Sequence, residues 1–149
     1  MAKIRVTKEF SFEMAHSLWN YDGPCKNIHG HSYKLYITVI GKPLEDKSSP
    51  KNGMVIDFSD LEKIVKENVI DHFDHSIVIS SEAAKPELIR TSQMFDKFYI
   101  VDYQPTCEKL LEYIVRIINI KLPSGIKLFS ANLRETEASS AEWHASDNQ

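Results

Sequence analysis

Apolar and polar residues alternate near the start of the chain. Ile4, Val6, Phe10, Phe12 and Met14 share one parity, broken by Lys8, and His16 continues it. A period of two marks a half-buried β-strand, so residues 3–16 are predicted as a strand whose apolar face ends in a histidine. Residues 31–41 repeat the pattern, with Tyr33, Leu35, Ile37 and Val39 in phase with His31. The polar stretch 42–53, which holds Pro43, Pro50 and Gly53, reads as a loop. The period then changes. Leu61, Ile64, Val65, Val69 and Phe73 follow helical spacing, and Ser59 with Glu62 three residues on predicts a capping box at the helix start. A second helix begins at Pro105-Thr106, buries Leu110, Leu111, Ile114, Val115 and Ile118, and stops at Pro123-Ser124-Gly125. Strands at 126–135 and 139–144 follow, then a polar tail at 145–149. Between Ser80 and Gln104 the pattern weakens: 98–101 reads as a short strand, the rest as loop and a helical turn.

This order predicts a single α+β domain over residues 1–149, a four-stranded antiparallel sheet with two helices on one face. Such a sheet leaves its edges and its second face, read here as fairly apolar and aromatic, in need of a partner. A homo-oligomer that continues the sheet from subunit to subunit meets that need.

Composition excludes several function classes. With 42% hydrophobic and 26% charged residues, the 149-residue chain is ordinary for a globular protein. A net charge of −3 provides no global attraction to nucleic acid or to an anionic membrane. Met1–Lys8 carries scattered charges in place of the apolar run of a signal peptide. The most apolar segment, 114–122, is interrupted by Arg116, Asn119 and Lys121, so no membrane span is expected. Two cysteines, Cys25 and Cys107, make no disulfide framework. The expectation is a reduced, cytoplasmic protein.

The candidate chemistry lies where the first two strands carry histidine. His29 and His31 flank Gly30 and point to one face of their strand, a common ligand spacing. His16 from a neighbouring strand would complete three ligands and leave a fourth position open, as in a catalytic zinc site. Cys25, separated from His29 by three residues, reads most plainly as a small buried hydrophobe, and beside that admits two chemical readings. It is a thiolate made reactive by a nearby cation, or a fourth ligand that closes the site. Asp71-His72-Phe73-Asp74-His75 repeats an acid–imidazole pair, of which one is expected to face a site. Glu135 ends a strand in parity with Phe129, Ala131 and Leu133, placed to accept paired N–H groups from a flat heterocycle or to make a strand-end ion pair.

Taken together, the motifs resemble the 6-pyruvoyltetrahydropterin synthase family, most of all its 6-carboxytetrahydropterin synthases. They are F-x-F-E-x-A-H ending at His16, C-x-x-x-H-G-H from Cys25 to His31, and G-x-x-I-D-F from Gly53 to Phe58. F-D-H at Phe73–His75, P-T-x-E at Pro105–Glu108 and R-E-T at Arg134–Thr136 complete the set. The resemblance implies a tunnelling fold whose subunits join their sheets into a barrel, as a homo-oligomer, a hexamer built as a dimer of trimers, with active sites between chains. It implies one zinc ion (Zn2+) on His16, His29 and His31, with Cys25 as catalytic proton acceptor and Asp74 and His75 as its relay. Glu135 then anchors the pterin, and Thr106 and Glu108 line its pocket. The implied substrate is dihydroneopterin triphosphate, whose side-chain oxygens a zinc ion would chelate, acidifying the neighbouring protons. Cleavage of the side chain releases acetaldehyde and triphosphate and leads toward queuosine and related deazapurines. Elimination of triphosphate alone gives the pyruvoyl product and leads toward biopterin. The three-residue gap before His29 favours the first outcome. Other classes open on the residues alone are a non-catalytic, zinc-stabilised pterin-binding module and a hydrolase using metal-bound hydroxide.

Overall fold

A computed structural model describes residues 2–149. In chain order the elements are β1 (Ile4–His16), β2 (His29–Gly41), α1 (Phe58–Val65), α2 (Asp71–Phe73), β3 (Ser76–Ser80), α3 (Pro86–Ser92), β4 (Phe98–Val101), α4 (Cys107–Lys121), β5 (Lys127–Thr136) and β6 (Ser139–His144). A π-helical turn, Lys66–Ile70, joins α1 to α2. The strands form one mixed sheet ordered β4-β3-β1-β2-β5-β6.

The expected antiparallel set β1, β2, β5 and β6 is present, but the sheet has six strands, not four. β3 joins the outer edge of β1 in parallel, and β4 joins β3 in parallel. In β3, Val78, Ile79 and both flanking serines are buried. A short strand covered on both faces carries no alternation to read.

β1 and β2 pair along their whole length, and their even and odd positions respectively form the buried face. Tyr33, Leu35, Ile37 and Val39 are fully buried there against Leu61, Val65, Val69, Phe73, Ile114 and Ile118 from the helices. Each such side chain contributes roughly 1.5–3 kcal/mol of burial, so this layer fixes the strand on which His29 and His31 sit. In β5 the parity expected for Phe129 fails. Pairing passes from Thr38↔Ser130 to Val39↔Leu128, leaving Phe129 as the extra residue of a β-bulge. Leu128, Ala131 and Leu133 enter the core, and Phe129 lies under the Arg5 guanidinium, 3.6 Å from the ring centroid.

Two further expectations are corrected. Asp57, not Ser59, is the N-cap of α1; its carboxylate accepts the Ser59 N–H. Asp57 has the extended backbone a cap needs, whereas Ser59 already lies inside the first turn. The sheet face away from the helices is polar along β1, with Thr7, Glu9, Ser11 and Glu13, and mixed along β2, where Ser32, Lys34 and Thr38 stand beside Tyr36 and Ile40. What is left open is an edge: β3 covers β1 only at Met14–His16 and the turn before β3 bonds Glu13, so the residues before Glu13 have no second strand neighbour among the described strands.

Candidate metal centre and active site

His16 and His29 lie directly opposite in the β1–β2 register, and His31 faces Met14 one pair along the same face. The candidate ligand atoms of the three imidazoles lie within 4.8 Å of one another. Backbone carbonyls set two of the tautomers. His16 Nδ1 lies 2.7 Å from the Pro105 carbonyl and His29 Nδ1 2.8 Å from that of Asn27. A carbonyl only accepts, so both Nδ1 atoms donate and both Nε2 lone pairs face inward. These Nε2 atoms are 3.1 Å apart; two nitrogens on a tetrahedral zinc ion would sit about 3.3 Å apart. Burial, opposed by the Pro105 hydrogen bond and by Glu135, holds the His16 pKa below its ordinary value, which keeps the imidazole neutral. His31 Nε2 is buried with no hydrogen-bond partner, 3.7 Å from Glu135 Oε1. Three converging lone pairs, one of them orphaned, fit a divalent cation.

Beside this trio lies a cavity of about 330 Å³ lined by His16, Cys25, Thr106, Cys107, Glu108 and Glu135, among others. Cys25 sits on a 3-10 turn, Pro24–Lys26, that leaves its thiol partly exposed. It is not part of the metal-competent group, so the fourth-ligand reading loses its geometric basis. Thr106 caps α4 by accepting the Lys109 N–H at 3.3 Å, which sets Thr106, Cys107 and Glu108 along the cavity wall. Tyr33 Oη reaches Glu135 Oε2 at 3.5 Å. Burial first, then the Glu135 carboxylate, push the Tyr33 hydroxyl well above its ordinary range. Cys107 is a wall residue that the motif left unassigned. Burial and then Glu135 push its thiol up to about 11, and it donates to the Leu133 carbonyl at 3.3 Å. Its only sequence signal is its place between Thr106 and Glu108.

Asp74 and His75 form the acid–imidazole pair, Oδ2 to Nδ1 at 3.0 Å. The Glu13 N–H donates to Asp74 Oδ1 at 2.8 Å, and the His75 N–H donates to the Glu13 carbonyl at 2.7 Å. That Glu13 bond, then the His75 ring, hold the Asp74 carboxyl below its usual range, so it stays ionised and fixes the Nδ1–H tautomer. The other pair is not one. Asp71 bonds Lys66, and the His72 ring stacks on Tyr99 at 4.1 Å. His75 is exposed and lines a separate cavity of about 320 Å³ with Glu13 and His31. That cavity touches the trio at His31, whereas the Cys25 cavity touches it at His16, so Cys25 and His75 line different cavities.

The 6-pyruvoyl tetrahydropterin synthase family profile matches residues 5–146. A 6-carboxy-5,6,7,8-tetrahydropterin synthase of Haemophilus influenzae is 36% identical over 142 residues, covering 94% of this chain and 98% of the relative. One from Aquifex aeolicus is 27% identical, covering 95% and 98%. Among solved structures, a 6-pyruvoyl tetrahydropterin synthase of Caenorhabditis elegans superposes with a TM-score of 0.67 at 23% identity, covering 97% of both chains. An uncharacterized protein of Wolinella succinogenes gives 0.73 at 18%, covering 97% of this chain and 99% of that one. At these identities the structural likeness concerns the fold.

Proposed function

The chain belongs to the 6-pyruvoyl tetrahydropterin synthase family, and we propose that it converts dihydroneopterin triphosphate to 6-carboxytetrahydropterin, releasing acetaldehyde and triphosphate. One observation carries the reading: three inward imidazoles adjoin a cavity whose wall presents both a free thiol, Cys25, and a carboxylate, Glu135. Its volume, about 330 Å³, is at the small end of ligand sites and suits one bicyclic ring.

His16, His29 and His31 would hold a zinc ion, which when bound supplies Lewis acidity toward the side-chain oxygens of the substrate. Glu135 accepts paired N–H groups of the pterin, and Thr106 and Glu108 complete the wall of the same pocket. Cys25 takes the side-chain proton, and the Asp74–His75 pair carries it onward. His75 opens on a different cavity from Cys25, and in this reading a second copy of the chain supplies the relay. The edge of β1 before Glu13 and the outer edge of β6 are the surfaces through which copies would extend the sheet, toward a hexameric barrel.

Incubation with dihydroneopterin triphosphate and zinc tests this directly. Acetaldehyde and a carboxylated pterin in equal amounts are expected. A pyruvoyl product without acetaldehyde would assign the other family activity. Tight binding without any product would leave a pterin-binding module.

A further inference from the structure

Helix α2 ends at Phe73, and Asp74 leaves it with extended backbone, φ −61° and ψ 127°. The carbonyls of such a last turn have no helical donor. Lys97 supplies one: its Nζ donates to the carbonyls of Asp71 at 2.6 Å and Asp74 at 2.9 Å. The Asp74 carbonyl belongs to the peptide unit that enters His75, and His75 stands in the left-handed region at φ 60°. A β-carbon disfavours that conformation, which persists only where the surroundings over-determine it. Glu13 of β1 grips the turn from one side. From the other side, among the described residues, only the Lys97 ammonium reaches the two carbonyls named above.

Lys97 is itself anchored. Its carbonyl accepts the Ile77 N–H at 2.9 Å, and β4 begins at the next residue, pairing Phe98 with Ile77. The ammonium is therefore delivered by the strand ladder, on a half-buried stem. Among the described ion pairs Lys97 has no carboxylate partner, so its charge is directed at the carbonyls. The α3–β4 segment, an addition to the four-stranded plan, is the scaffold that brings it there.

We propose that Lys97 is a positioning residue for His75: by bridging the carbonyls of Asp71 and Asp74 it holds the left-handed turn that aims the imidazole. The proposal rests on the reading of His75 as the imidazole of the active site. It adds a role for the α3–β4 segment that the motif residues do not contain.

The test compares Lys97→Met, which keeps the aliphatic stem, with Lys97→Arg, Lys97→Gln and His75→Ala in the dihydroneopterin triphosphate assay. Lys97→Met is expected to lower kcat roughly 10- to 100-fold, the scale of a misplaced catalytic group, with KM and zinc content within about twofold of wild type. Lys97→Arg, which can still bridge two carbonyls, is expected to recover at least half of the lost rate on a logarithmic scale. The His75 amide is expected to exchange faster in Lys97→Met, since its bond to Glu13 loosens. Wild-type kcat in Lys97→Met beside an inactive His75→Ala overturns the proposal. Loss of zinc and activity in equal proportion, or failure of both the Met and Gln variants to fold, also overturns it by assigning a merely structural role. Wild-type kcat in His75→Ala overturns the reading beneath it instead.

Discussion

The backbone N–H of Leu18 donates to the carbonyl of Cys25 at 2.8 Å, folding the chain after β1 back so that the thiol shares a cavity with His16. The same loop is tied to the segment before α4. Gln104 accepts the Trp19 N–H at 2.9 Å and donates to its carbonyl at 2.7 Å. Two residues on, Thr106 lines the cavity. The loop and the wall of the pocket are thus one hydrogen-bonded unit, and Cys25 stands beside the imidazole trio without belonging to it.

Cys25→Ala is therefore expected to abolish turnover while leaving about one zinc ion per chain. Loss of a proton-transfer group typically costs 10²- to 10⁴-fold in rate, whereas loss of a structural ligand removes metal and fold together. Metal analysis of the purified variant beside its rate separates the two. Full activity in Cys25→Ala would point to metal-bound hydroxide and end the proposed role.

Zinc is expected to stabilise the protein through the trio. A ligand at 1,000 times its Kd adds about 4 kcal/mol, read as a rise in Tm that a chelator reverses. In His16→Ala the rise should vanish, because the removed imidazole is the buried member of the set. An unchanged zinc response in that variant would move the metal elsewhere.

Acid sensitivity follows from one buried ring, His16, and one half-buried ring, His72. His16 lies below its ordinary 6.5 chiefly through burial, and His72 does so through burial and then Lys97. Below 6.5 the unfolded chain therefore binds more protons than the folded one, and stability falls with pH through the folded pKa values. Metal-free protein is expected to unfold at lower urea at about pH 5.5 than at about pH 7.5. His72→Gln should shrink the difference. Asp74, a carboxyl lowered from 3.8, acts only in a more acidic window. Equal urea midpoints at the two pH values would refute the assignment.

How much of this is legible in the sequence depends on periodicity. The parity of β1 and β2 is plain because one face is buried at every second residue from Phe10 to His16 and from Tyr33 to Gly41, and it places His16, His29 and His31 on that face. Their convergence is not plain. The loop from Ser17 to Ile28 does not state that His16 pairs with His29; the backbone register does. β3 escapes because Ile77, Val78 and Ile79 are three apolar residues in a row, and the bulge at Phe129 breaks a parity that the sequence shows as continuous. The clamp on His75 is invisible for another reason. Lys97 is 22 residues away in sequence from a turn that it meets only through the β3–β4 ladder.

Glu135→Gln is expected to weaken pterin binding and to leave zinc in place. A hydrogen bond to a charged group contributes about 1.5–3 kcal/mol, roughly 10- to 150-fold in Kd. Glu135 Oε1 stands 3.7 Å from His31 Nε2, outside bonding range, so the trio should keep its metal. Calorimetry showing unchanged pterin affinity would remove Glu135 from the site.

The division of the catalytic groups between two cavities yields the sharpest expectation. Asp74 and His75 are pinned to the Glu13 backbone at the edge of β1, while Cys25 lines the cavity beside His16. If each site takes its thiol from one chain and its relay from another, Cys25→Ala and His75→Ala chains are each inactive alone. Mixed in equal amounts and allowed to exchange subunits, about a quarter of the sites would hold both native residues by random assortment. Activity should then recover to about a quarter of wild type, with a time course that follows subunit exchange. If both variants are inactive alone and the mixture stays inactive after mass spectrometry shows complete exchange, thiol and relay belong to the same chain and the shared site is wrong.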